Sequence, residues 1–358
     1  MRILRAAFVL AAFLPVIHAQ KRMVIIDQDA DGPGESNQMA ILSLLQSPQT
    51  QVLGVTVVTG NAWRDEEVQH TLRTLELVGR TDVPVVPGAV FPLVRTEPET
   101  LAAERMYGRV AWLGAWRNPS ANFPHGQGKV HGPWEVPVLR EGAPHTKALD
   151  EDAAHFLVRQ VRAHPGQITI YEGGPLTNIA LAISLDAHFA GQTKGIVMMG
   201  GSLNPQTEDP EFATSPRHEF NFWFDPEAAH IVLRAPWPRV DVTTVDISIK
   251  AMFSKDMFDA IAKSSSPAAR YIAKYAVDRY YMWDELAACA WLDPAIITKV
   301  RDLYMDVDLG NNANYGNTLT WNEKDKPGTG VRLVHAQTDL DLTRFQKMFI
   351  DLMSRPRN

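Results

Sequence analysis

Residues 23–42 read MVIIDQDADGPGESNQMAIL, an apolar run that passes through a polar, glycine-bearing turn into a helical pattern. Val24, Ile25 and Ile26 have the composition of a buried strand, and the apolar spacing that begins in SNQMAIL is that of a helix. The join is therefore a β-α unit. Between the two elements, Asp27, Asp29, Asp31 and Glu35 fall within nine positions. Packing gives no reason to gather carboxylates at a strand end, because they repel one another and each resists losing its water. A bound cation is the simplest remedy.

The same alternation continues outward from this unit. MVIIDQD, QVLGVTVVTG, VPVVPG, QITIYEGG, GIVMMGG and RVDVTTVDI each read as a buried strand. Between them, SNQMAILSLLQS, DEEVQHTLRTLELVGR, DEDAAHFLVRQVRAH, LTNIALAISLDAHF and DPEAAHIVLRAP carry apolar residues at helical spacing. This predicts an α/β fold with an open, mainly parallel, Rossmann-like sheet and helices on both faces. Ligands in such folds bind beyond the carboxyl ends of the strands, where Asp27, Asp29, Asn61, Gly173 and Met199 all fall. Residues 110–147 carry few periodic signals and read as a long loop or lid over that crevice. The tail is read as a strand over GVRLVHA and a helix over DLTRFQKMFIDLMSR.

Composition narrows the class of function. The chain has 358 residues, 45% of them apolar, and shows no internal repeat or linker, so residues 20–358 are expected to form a single domain. Its net charge of -6 supplies no basic field, which argues against nucleic acid as a partner. Residues 1–19, with Arg2 and Arg5 ahead of the apolar stretch Ala6–Ile17 and then Ala19, read as a signal peptide cut after Ala19. The expectation is an exported, periplasmic or secreted protein with no membrane contact once the leader is removed. Cys289 is the only cysteine, so neither an intramolecular disulfide nor a cysteine-based zinc site is available.

Two further motifs carry chemistry. GGPLTNIALAI, residues 173–183, turns a strand into a helix that Thr177 or Asn178 could cap. EFNFWFDPEAAHIV, residues 219–232, puts Glu219 and Asn221 on one face if extended, a polar pair aimed at a hydroxylated ligand, with Asp225 capping the next helix.

Together with VIIDQD, GVTVVTGN, GIVMMGG and WDELAACAWLDP, these pieces resemble the inosine-uridine preferring nucleoside hydrolase family, in the family's order and over residues 23 to 295. The resemblance implies the nucleoside hydrolase fold, a Ca2+ at the floor of a crevice, a homo-oligomer, and hydrolysis of the N-glycosidic bond of ribonucleosides to ribose and free base. Carried over by position, Asp29 is a metal ligand and general base, Asp284 and the Gly173 carbonyl are metal ligands, and Asp27 is a supporting carboxylate. Asn61, Met199, Glu219 and Asn221 hold the ribose. His131 is a candidate contact to the base, with His125 and His218 as lesser ones; His70, His155, His188 and His230 lie in helical patterns and read as surface or structural.

Two departures from the family pattern matter. The family reads D-x-D-P-G-x-D-D, whereas DQDADGPGESNQMAIL is longer and sets Ser36 and Asn37 where paired aspartates would stand. Asn37 can still bind Ca2+ through its oxygen, with one negative charge fewer. Glu35 or Asp31 could fold back to replace the lost carboxylate. The second departure is Trp283 ahead of Asp284, as in the purine-specific branch, where an aromatic face favours stacking on a purine; its alternative is packing against the neighbouring helix. The chain is thus expected to be an N-glycosyl hydrolase with purine preference. A non-catalytic nucleoside or sugar binding protein, and a hydrolase of another N-glycoside, stay open beside it.

Overall fold

A computed structural model describes residues 20–117, 129–277, 279–328 and 330–356. The leader read over residues 1–19 and His125 lie outside them.

Among the described residues, nine strands form one sheet: β1 (Arg22–Gln28), β2 (Thr50–Val57), β3 (Val85–Pro87), β4 (Ile168–Glu172), β5 (Gly195–Met199), β6 (Val240–Thr243), β7 (Ile297–Val307), β8 (Thr318–Trp321) and β9 (Arg332–Leu340). Their spatial order is β3-β2-β1-β4-β5-β6-β9-β7-β8. Pairing is parallel from β3 through β6 to β9, and antiparallel where β7 joins β9 and β8. The predicted open, mainly parallel sheet is therefore what forms. The antiparallel end was not foreseen.

Alternation along the strands sorts side chains to two faces. Val24, Ile26, Tyr171, Val197 and Met199 join the core on one side, under the helices Ser36–Gln46, Trp283–Leu292 and Leu342–Ser354. Ile25, Ile168, Ile170, Ile196 and Met198 join the other, under Ala153–Ala163, Thr177–Leu185 and Pro226–Arg234. With both faces covered, the central strands are apolar throughout and polar groups collect at their ends.

Two local expectations are corrected. Residues 220–224 form a short helix capped by Glu219, not an extended segment, because the Glu219 carboxylate takes the free backbone N–H groups of Asn221 and Phe222. The helix after GGPL begins at Thr177 without a side-chain cap, since Thr177 and Asn178 are engaged elsewhere: Thr177 donates to Asp225 and Asn178 to Asp27. Asp225 caps Pro226–Arg234 as expected. Within residues 110–147, the described parts comprise a single helical turn at Gly114–Trp116 and irregular chain from 129 onward.

Candidate active site

The carboxyl ends of β1, β2, β4 and β5 meet at one point, and Asp29, the first residue beyond β1, lies at its centre. Its Oδ1 accepts from Asn37 Nδ2 at 2.7 Å and its Oδ2 from the Asn61 backbone N–H at 3.0 Å. Two glycines make the room: a Cβ on Gly60 would sit 2.1 Å from Asp29 Oδ2, and one on Gly174 would sit 2.9 Å from the Asp29 nitrogen. Only glycine allows such close approach.

Asn37, in the first turn of Ser36–Gln46, reaches the same point. Besides Asp29, its Nδ2 lies 2.8 Å from Gln28 Oε1 and 3.1 Å from the Gly173 carbonyl oxygen. Its Oδ1 accepts from Asn61 Nδ2 at 3.3 Å, and Asn61 Oδ1 accepts from the Trp112 indole at 2.9 Å. Asp284 enters from the first turn of Trp283–Leu292. Its Oδ1 is buried and has no hydrogen-bond partner among the described residues, and neither has Gln28 Nε2. Both atoms lie within 2.7 Å of the position a Cβ on Gly173 would take.

Ser36 does not face this centre. Its hydroxyl donates to Glu285 Oε2 at 2.6 Å and accepts from the Asp284 backbone N–H at 3.2 Å, so it locks the two helix starts together. Asp27 points to the opposite sheet face, where it accepts from Thr56 and from Asn178 at 2.8 Å. It braces the strand end from below.

On the β5 side, Met199 and Asn221 are joined by a 3.1 Å bond from Asn221 Nδ2 to the Met199 carbonyl. Glu219 accepts three backbone N–H groups, from Gly201, Asn221 and Phe222. Trp283 is half-buried and meets Phe212 and Tyr281 edge to face, with centroids 5.8 and 5.1 Å apart. His131 is placed apart: its Nε2 lies 2.8 Å from Glu66 Oε2, and its backbone carbonyl accepts from the Trp63 indole. It lines a cavity of about 510 Å3 with Trp63, Phe91 and Trp116, which neither Asp29 nor Asp284 lines. His218 is buried beside Arg95, and both effects hold its pKa down at about 4, so it is neutral.

Electrostatics shows the strain of this arrangement. Burial pushes the Asp29 carboxyl well above its ordinary pKa, and the charges of Asp284 and Asp31 push it further. Burial and Glu285 do the same to Asp284. Glu67 and Glu172, both fully buried, are also raised by burial first and then by Asp29 and Asp27 respectively. A buried cation stands nearby. Burial opposes the charge on His70, but the hydrogen bond to Glu141 and the ion-pair contact with Glu66 at 3.5 Å outweigh it and lift its pKa to about 9.

Gln28, Glu67, Glu172 and His70 were not foreseen at this site. The i, i+4 spacing of Glu66 and His70 was the one visible signal.

The donors suit a hard cation. Asp29 Oδ1 and the Gly173 carbonyl converge on a single amide nitrogen, Asp284 Oδ1 is left unpartnered, and calcium-type ions take oxygen ligands of these kinds. No set of three His, Cys, Asp or Glu side chains among the described residues has metal-site geometry, so such a site would depend on the carbonyl and on Asn37.

Comparisons with known proteins agree with this geometry. A family model described as inosine-uridine preferring nucleoside hydrolase matches residues 24–347. A probable uridine nucleosidase of Oryza sativa subsp. japonica is 33% identical over 72% of this chain and 68% of its own length. A pyrimidine-specific ribonucleoside hydrolase of Photobacterium profundum is 30% identical over 71% and 70% respectively. Among solved structures, a plant nucleoside hydrolase superposes with a TM-score of 0.72 at 24% identity, covering 94% of this chain and 99% of that one. An inosine-guanosine nucleoside hydrolase gives 0.73 at 21% identity, over 94% and 99%. The structural likenesses establish the fold, and the family match over nearly the whole sheet establishes the lineage: this chain belongs to the inosine-uridine preferring nucleoside hydrolases, a family of N-glycosyl hydrolases.

Proposed function

We propose that the protein hydrolyses the N-glycosidic bond of ribonucleosides in a Ca2+-dependent reaction, giving ribose and free base. The observation that supports this reading is the convergence of Asp29 Oδ1 and the Gly173 carbonyl on one point, with the unpartnered Asp284 Oδ1 beside Gly173, Asn61 bonded to Asn37, and the Met199–Asn221 pair at the end of β5. Asp29, Asp284, the Gly173 carbonyl and the Asn37 oxygen would hold the ion. Its chemistry when bound is to acidify a water and to engage the ribose diol.

The chain's own groups then divide the work. Asp29 takes a proton from the attacking water as its oxygen bonds to the anomeric carbon. The C–N bond breaks, and the base leaves with the bonding pair and takes a proton from solvent water, to which Asp29 later returns the proton it accepted. Positive character built on the sugar is stabilised by the buried carboxylates around it. Asn61, Asn221 and the carboxylate of Glu219, held in place by three backbone N–H groups, position the ribose hydroxyls.

For the base, the half-exposed ring of Trp283 supports purine preference through stacking. The names of the relatives in rice and Photobacterium support a second reading, preference for uridine and other pyrimidine nucleosides. We further propose export by the leader at residues 1–19 and assembly of copies into a homo-oligomer.

Ribose release from inosine, adenosine, guanosine, uridine and cytidine, with Ca2+ and then with chelator, tests the proposal. Chelator-sensitive turnover is expected, and the panel ranks the bases. Nucleoside binding with no ribose release from any of them would overturn hydrolysis in favour of a binding protein or a hydrolase of another glycoside.

A further inference from the structure

The Asn37 side chain presents the wrong end of its amide for a cation. Its Nδ2 stands 2.7 Å from Asp29 Oδ1 and 3.1 Å from the Gly173 carbonyl, donating to oxygens proposed as ligands. An amide nitrogen with two hydrogens cannot ligate Ca2+; only the oxygen can. A bound ion therefore requires the amide to reverse, with Oδ1 turned inward and Nδ2 outward.

That reversal has a consequence for the next residue. Asn37 Oδ1 now accepts from Asn61 Nδ2 at 3.3 Å, and Asn61 Oδ1 accepts from the Trp112 indole N–H at 2.9 Å. Once Asn37 turns its Nδ2 outward, two donors face each other. Asn61 relieves this by turning as well, so that its oxygen accepts from Asn37. The oxygen that held Trp112 is then withdrawn. Trp112, half-buried and edge-on to Phe220 at 6.5 Å, loses its polar anchor at the rim of the ribose site.

We propose that Asn37 and Asn61 form a two-amide relay through which cation binding on the floor of the site releases Trp112 at its rim. The relay rests on the proposed cation site. It belongs to this chain's Asn37, because a carboxylate in that position offers the same kind of oxygen in both directions and has nothing to reverse.

Calcium titrations followed in parallel by calorimetry and by tryptophan fluorescence, on the wild type, Trp112→Phe and Asn37→Asp, test it. In the wild type, binding heat should be accompanied by a fluorescence change that Trp112→Phe removes while the heat persists. Asn37→Asp should bind Ca2+ about tenfold more tightly, having regained a carboxylate ligand, yet show no Trp112-dependent change. Wild-type heat with no Trp112-dependent signal, or the same signal in Asn37→Asp, would overturn the relay while leaving the cation site standing. Absence of heat from the wild type at millimolar Ca2+ would remove the cation site and the relay with it. Should Asn37→Asp fail to fold without the ion, the comparison of wild type with Trp112→Phe decides the matter alone.

Discussion

Asp29 is hemmed in by Gly60 and Gly174, held through one oxygen by Asn37 and through the other by the backbone of Asn61. A carboxylate so fixed is useful as a base because it needs no reorganisation to meet its proton. Asn in its place keeps the shape and removes the basicity. Asp29→Asn should lower kcat by about 10³-fold with an unchanged circular dichroism spectrum; full activity would assign the base elsewhere. Trp283 can be judged by substrate. If its ring stacks on the base, Trp283→Ala should raise KM for inosine more than for uridine, by roughly tenfold, which is the scale of one aromatic stacking contact. Equal losses for both nucleosides would mean that the ring only packs against Phe212 and Tyr281.

The helix starts do the positioning at the next scale. Asp225 caps Pro226–Arg234 through Ala228, and it also accepts from the Leu93 backbone N–H and the Thr177 hydroxyl. One buried carboxylate thus ties together the loop after β3, the helix after β4 and the helix that follows Phe220–Phe224. Asp225→Ala strands three donors and should cost about 2–4 kcal/mol in a denaturant titration; a loss near zero would show that the three segments are held independently. The elements themselves were largely legible in the chain. β1 to β5 end within three residues of the apolar runs that predict them, whereas the run RVDVTTVDI overshoots β6, which stops at Thr243 ahead of a short helix over Val245–Ser248. What escaped notice follows from exposure. The first half of β7, TKVRD after Ile297, lies in solvent and so has no apolar alternation to read. Phe220–Phe224 looked extended because a single turn of helix is too short to show a 3.6-residue period, and its signal lay in the Glu219 cap.

For the whole molecule, the charge balance around the site matters most. Sequence spacing exposed Asp27, Asp29 and Asp31, but it could not show that Glu66, Glu67 and Glu172 arrive from other elements, nor that Glu141 meets His70 across an irregular segment. Tertiary proximity decides this, and local pattern carries no trace of it. His70 faces Glu66 and Glu141, with Asp31 close enough to feel its charge. Because its pKa in the folded protein is raised from 6.5 to about 9, the stability it contributes is complete below pH 6.5 and is lost as the pH rises through about 9. The gap in melting temperature between wild type and His70→Gln should therefore narrow over that range. A constant gap would mean that His70 contributes packing and no charge.

The sheet closes in a way that bears on how the protein behaves when crowded. On one side it ends in β3, only three residues long, and on the other in the four-residue β8. β8 pairs with β7 only over Tyr304–Val307, and the stretch of β7 before it carries Lys299, Arg301 and Asp302. Short margins and charged side chains give a foreign strand little to zip onto, so the long parallel centre is shielded from edge-to-edge polymerisation. Concentrated solutions should resist fibril formation even though the interior strands, taken as isolated peptides, have the apolar, β-branched composition of good aggregators.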